Sequence, residues 1–111
     1  MILIVVKYTV LPQFRETWLP AVDSFTRKVR AEPGNLWFDW SVSADDPCQF
    51  FLVEAFADAE AGAVHVQADY FAEAMELMPT MLAKTPEIIN VEIPDRTGWS
   101  EMAELSVPDR T

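Results

Sequence analysis

The sequence predicts an α+β fold of the ferredoxin-like kind, β-α-β-β-α-β around a four-stranded antiparallel sheet. Three observations carry that expectation. Short apolar or alternating segments read as four strands, one longer stretch with apolar residues three and four apart and a second opened by an N-cap aspartate read as helices, and a polar turn joins the two middle strands.

Residues 2–10 form the first expected strand, with Ile2, Ile4, Val6 and Tyr8 on one face and Leu3 and Val5 on the other. A strand apolar on both sides is usually covered on both sides. From Pro12 to Ala31, Phe14, Trp18, Val22, Phe25 and Val29 make a helical stripe, with Arg15, Glu16, Arg27 and Lys28 off it. Pro20 lies inside this stretch and is expected to kink it or to mark a broken first turn. Glu32-Pro-Gly-Asn35 ends the helix, because Pro cannot continue it and Gly tolerates positive φ. Residues 36–42 alternate, Leu36, Phe38, Trp40 and Val42 against Trp37, Asp39 and Ser41. The turn Ser43-Ala-Asp-Asp-Pro47 then leads into Gln49 to Phe56 as a hairpin partner. Asp58 is the expected N-cap of a second helical region reaching Leu82, broken near Ala68-Asp69 and again near Pro79, and residues 87–93 supply the last strand.

Two helices on one face of such a sheet leave the other face bare. With the first strand apolar on both sides and Trp37 off the main stripe, that face is expected to close on a second copy, as a homodimer. The expected domain is residues 1–94. Residues 95–111 form a tail in which Pro94-Asp-Arg-Thr97 recurs as Pro108-Asp-Arg-Thr111, with Trp99, Met102 and Leu105 between. Such a tail either frays or lies across the partner subunit and roofs a cleft.

Composition narrows the function classes. Eight Lys and Arg against eighteen Asp and Glu give a net charge of −10, a field that repels phosphate backbones and anionic lipid and so argues against nucleic-acid and membrane partners. No apolar run approaches the roughly 20 residues that span a bilayer, and Met1-Ile-Leu-Ile-Val-Val6 reads as a strand, not a signal peptide, so a cytoplasmic location is expected. One cysteine and one histidine exclude an intramolecular disulfide and a Cys/His zinc site. Four Trp and seven Phe suit either a core and dimer interface or a pocket for a neutral aromatic ligand.

Three places resemble the antibiotic biosynthesis monooxygenase family of small dimeric α+β-barrel proteins. These are Glu32-Pro-Gly-Asn-Leu-Trp-Phe38, like its helix-to-strand junction; Phe51-Leu-Val-Glu-Ala-Phe56, like its strand with an acidic residue near the end; and Ala63-Val-His65 followed by Asp69-Tyr-Phe71, like its histidine-bearing helix. The similarity spans roughly residues 2–93. It implies a dimeric barrel and a choice among cofactor-free monooxygenases of hydroquinones and polycyclic phenols, haem degraders, an isomerase-like branch and members without known activity. The haem degraders pair a Trp and a later His on the second helix with an Asn on the first strand. Here those helix positions look like His65 and Met75, and no Asn occurs in residues 1–30, which argues against haem degradation. Many members also carry a second His before a Phe, where this chain has Tyr70-Phe71.

A deprotonated phenol or hydroquinone is electron-rich enough to reduce molecular oxygen without metal or flavin, leaving the protein to take a proton and hold developing charge. His65 is the only side chain whose ordinary pKa, about 6.5, suits a base at neutral pH. The expected site therefore has His65 as proton acceptor and Tyr70 as hydrogen-bond donor, with Trp18, Phe38, Trp40, Phe71 and Met75 as apolar walls. No cofactor and no metal are expected, and the partners are a small aromatic substrate and oxygen. The alternatives are a non-catalytic dimeric module binding an aromatic or lipophilic ligand, with His65 and Tyr70 as packing residues, and an isomerase using the same histidine. Glu54 reads as a structural partner of Lys7 or of a backbone donor, and Cys48 has no cationic neighbour to activate it.

Overall fold

The doubly apolar strand β1 (Ile2–Thr9) lies in the interior of the sheet, between β3 (Gln49–Phe56) and β4 (Glu87–Glu92), with β2 (Asn35–Val42) on the far side of β3. All pairings in this computed structural model, which describes residues 1–110, are antiparallel. The last residue of the second Pro-Asp-Arg-Thr, Thr111, lies outside the described residues. One side of β1, with Val6 and Tyr8, enters the buried core, while the Leu3 and Val5 side stays partly exposed. The α+β, ferredoxin-like reading of the sequence is therefore correct.

Helix α1 (Trp18–Arg30) follows a short 3-10 turn at Pro12–Phe14, so the expected single helix from Pro12 is in fact two pieces. Pro20 causes no kink, because it is the third helical residue and its missing N–H would have lacked a partner there anyway. Trp18, Val22, Phe25 and Val29 of the stripe are buried against Phe38, Phe50, Leu52 and Phe56 of the sheet. At the helix end the Arg30 guanidinium donates twice to the Phe38 carbonyl, at 3.0 and 2.8 Å, and so ties α1 to β2.

The second helical region is α2 (Ala59–Gln67) and α3 (Asp69–Leu77), separated where Ala68 turns extended, and then a 3-10 turn at Met78–Met81. Asp58 caps α2 as expected, its carboxylate accepting from the Ala61 N–H at 2.9 Å.

Gly34 has another role than the one its position after α1 suggests. It does not adopt positive φ; its hydrogen faces α2, and a Cβ built there would lie 2.3 Å from the Ala61 Cβ. Neither partner of that contact is a flexible side-chain end. Gly34→Ala is thus expected to push α2 off the sheet and cost about 1–3 kcal/mol in urea denaturation. The double change Gly34→Ala with Ala61→Gly is expected to recover most of that loss. An alanine tolerated at 34 in the Ala61 background would refute the close contact.

The sheet face away from the helices carries Leu3, Val5, Val53 and Val91 beside Trp37. Trp99 from the tail stacks on Trp37, ring centroids 5.3 Å apart, while the N-terminal ammonium donates to the Ile93 and Arg96 carbonyls at 2.9 and 3.2 Å. Among the described residues no helix is long and apolar enough to cross a membrane.

Candidate active site

Strand register decides which side chains share the helix-covered face. Ile4 stands opposite Glu54 on β3 and Asn90 on β4, and Phe38 stands opposite Glu54 from β2. This row runs under α2 and α3, which bring down His65 from α2 and Phe71 and Met75 from α3. Between them is a cavity of about 320 Å³, apolar for most of its lining through Val6, Phe25, Leu52 and Met78, with Tyr8, Glu54, His65 and Asn90 as its polar members. That volume sits at the small end of the range for small-molecule sites.

His65 is buried, at 5% exposure, and its ring lies among Phe56, Phe71 and Phe25, with centroids 4.8, 5.1 and 6.0 Å away. Its Nδ1 is 3.1 Å from Glu32 Oε2, and the Tyr70 hydroxyl donates to the same oxygen. A carboxylate on Nδ1 fixes the tautomer that carries its proton there, leaving Nε2 as the acceptor. Nε2 is 3.9 Å from Glu54 Oε1, beyond hydrogen-bond reach but close enough for an imidazolium to attract that carboxyl. Both glutamates are buried. Burial first, and the charge of Glu32 second, push the Glu54 carboxyl up to about 7, so it gives up its proton near neutrality. Partial burial, then the hydrogen bond to Glu32 and that group's charge, push Tyr70 up to about 12, which keeps its hydroxyl a neutral donor. Burial and the neighbouring Glu54 also push the Tyr8 hydroxyl well up.

Residues 1–77 match the antibiotic biosynthesis monooxygenase family. The chain belongs to that family. No curated protein matches the chain significantly. Among solved structures, an antibiotic biosynthesis monooxygenase shares 22% identity over 84% of this chain and 98% of its own, with a TM-score of 0.76. A Nitrosomonas europaea protein assigned to the same group shares 24% over 85% and 99%, at a TM-score of 0.78. The protein Rv0793 of Mycobacterium tuberculosis shares 18% over 87% and 98%, also at 0.78. These identities establish a common fold and leave the reaction to be argued from the site.

In this member of the antibiotic biosynthesis monooxygenase family, the residues expected from sequence divide into two groups. His65, Phe38, Phe71 and Met75 line the cavity. Tyr70 is held outside it, along a depression between α1 and α3, and reaches the histidine only through Glu32. Trp18 and Trp40 do not line the cavity. Trp18 is wholly buried, and the two rings pack edge-on at 5.8 Å with Tyr8 against both, a knot of core aromatics beyond the cavity floor. Trp40 also donates its indole N–H to the Thr26 hydroxyl at 2.9 Å. The expected Glu54–Lys7 pair is absent, because Lys7 stands opposite Phe51, on the other face of the sheet. Sequence reading assigned no role to Glu32. Its signal was a carboxylate in an otherwise structural Pro-Gly turn, but only the fold brings it to a histidine 33 residues away. Among the described residues no group of three or more His, Cys, Asp or Glu side chains is arranged to hold a metal ion.

Proposed function

We propose that the protein is a cofactor-independent monooxygenase of a hydroquinone or phenolic polycyclic substrate, with His65 as the general base. One observation carries this reading: an imidazole with Nδ1 held by a buried carboxylate presents Nε2 to an apolar cavity large enough for an aromatic ring. The substrate hydroxyl gives its proton to Nε2, and the imidazolium is stabilised by Glu32 at 3.1 Å and Glu54 at 3.9 Å. The phenolate left in an apolar cavity is poorly solvated, which favours release of an electron to oxygen. Recombination of the resulting radical pair forms a carbon–oxygen bond. Loss of water then puts one oxygen atom into the substrate as a carbonyl and the other into water, with the substrate supplying every electron.

The test is oxygen uptake by metal-stripped protein with a panel of hydroquinones and anthrone-like phenols, together with transfer of labelled oxygen into product. Uptake above autoxidation with one labelled atom per product supports the reading. Conversion of the ligand without oxygen consumption would replace it with an isomerase, and tight binding without conversion would replace it with a binding module.

The bare sheet face supports a second proposal, a homodimer closed through Leu3, Val5, Val53 and Trp37, with the tail beyond Trp99 reaching onto the partner through Met102 and Leu105. A sedimentation mass of twice 12.6 kDa, falling to the monomer value in Val5→Asp, is the expected result. A wild-type monomer at micromolar concentration would end this proposal.

A further inference from the structure

The position of Tyr70 follows from the break between α2 and α3. On one continuous helix, His65 and Tyr70, five residues apart, would point about 140° away from each other. Ala68 is extended instead, at φ −69° and ψ 144°, and the restarted helix brings the Tyr70 hydroxyl to the same carboxylate that holds His65. The phenol ring lies near Phe25, centroids 6.2 Å apart, and borders the depression that Lys28 and Glu73 also line.

Glu32 is a sparsely supported anion. Its side chain is 7% exposed, and Oε1 is buried without a hydrogen-bond partner among the described residues. All its donors therefore meet at Oε2: His65 Nδ1 at 3.1 Å and the Tyr70 hydroxyl. A buried negative charge favours a proton on whatever neighbouring group can take one, and here that group is the imidazole. Glu54 on β3 adds a second carboxyl at 3.9 Å. The other polar groups do not offset this pair. Tyr8 on β1 offers a neutral hydroxyl, Arg30 of α1 is bound to the Phe38 carbonyl, and Lys28 and Glu73 line the depression beside Tyr70. An imidazole between two carboxyls is thus drawn toward holding both protons before a substrate arrives, and a base already protonated accepts nothing. The Tyr70 hydroxyl works against that outcome. Its bond to Oε2 is strongest when the carboxylate stands beside a neutral imidazole, and weaker once an imidazolium neutralises the charge.

We propose that Tyr70 is a positioning residue that acts on His65 through Glu32, dispersing the carboxylate's charge so that Nε2 stays free of a proton in the resting protein. This rests on the reading of His65 as the base. The hydroxyl, pushed up to about 12, remains a donor throughout the range in which the histidine works.

Because the chain has a single histidine, isotope labelling of histidine nitrogen gives one pair of signals, which report Nε2 protonation without substrate. Tyr70→Phe keeps the ring near Phe25 and removes only the hydroxyl. At about pH 7 it is expected to raise the ratio of protonated to free Nε2 roughly three- to tenfold, as loss of one hydrogen bond to a carboxylate allows. Oxygen uptake by Tyr70→Phe is expected to fall by a similar factor in kcat at about pH 7 and to return to the wild-type rate at about pH 9. In a Glu32→Gln background the same change is expected to leave Nε2 protonation where it was, since the charge it acts on is gone. Equal Nε2 protonation in Tyr70→Phe and wild type, an equal loss of uptake at both pH values, or an undiminished effect in Glu32→Gln overturns the proposal and leaves His65 as the base. A wild-type Nε2 already protonated at about pH 9 overturns the base itself, and this inference with it.

Discussion

Replacing His65 is expected to lower substrate-dependent oxygen uptake by about 100- to 10,000-fold, the usual contribution of a positioned general base. The width of that range reflects how little is left to replace it: Tyr70 is held neutral and outside the cavity, and Glu54, whose carboxyl is pushed up to about 7, is the one other cavity group able to take a proton. Two variants separate chemistry from structure. His65→Ala removes a ring packed against Phe56 and Phe71 and strips Glu32 of a buried partner, so it is expected to lose stability as well as activity. His65→Gln keeps an amide N–H that can reach Glu32 and fills most of the space, yet cannot accept a proton at neutral pH. Uptake that disappears in both variants, with near-native unfolding in His65→Gln, assigns the loss to proton transfer. A well-folded His65→Gln that consumes oxygen at the wild-type rate would remove the histidine from the mechanism. Glu32→Gln belongs to the same series as a positioning change. Its amide can present either end to Nδ1, so the tautomer is no longer fixed, and a smaller loss of about tenfold in kcat is expected with KM little changed.

How far the sequence reached can be judged from these residues. Period-two and helical patterns located every strand and both helical regions, because each reports which side of a local element is buried. His65 stood out as the lone histidine, and Phe71 and Met75 came with the family resemblance; all three lie on helices whose apolar side faces the sheet. The patterns could not choose among the four tryptophans. Trp40 and Phe38 share a face, but whether a ring on that face borders the cavity or the knot around Trp18 depends on which residue stands opposite on the next strand. Register also misled the reading of Glu54. Local sequence left Lys7 as a partner, whereas pairing with Ile4 turns the carboxyl toward the helices and Lys7 toward the bare face. Glu32 was illegible for a related reason. Its turn identity was clear, but its value to the site comes from an approach of α2 that Gly34 permits through the missing Cβ. One short segment, Glu32-Pro33-Gly34, thus supplies both the orienting carboxylate and the clearance that lets the histidine reach it.

Glu54 yields the largest expected effect on stability. Its carboxyl has a folded pKa of about 7 against an ordinary 4.5, so folding favours the protonated form. Below about pH 4.5 both states hold the proton, and the group contributes no difference. Between 4.5 and 7 the unfolded chain has released it while the folded chain has not, the folded state binds more protons, and stability falls as pH rises. Above 7 the whole penalty is present, on the order of 3 kcal/mol at about 1.4 kcal/mol per pH unit. Urea denaturation of Glu54→Gln is therefore expected to show a flatter stability profile from pH 5 to 7 and a gain of a few kcal/mol at pH 8. Parallel profiles for the two proteins would mean that the carboxyl ionises in the folded state as readily as in the unfolded one. The same change is expected to slow oxygen uptake, because above pH 7 the Glu54 carboxylate, 3.9 Å from Nε2, is the second negative charge available to an imidazolium. A variant more stable and slower at pH 8 would identify Glu54 as a destabilising acid held in place by what it does for the histidine.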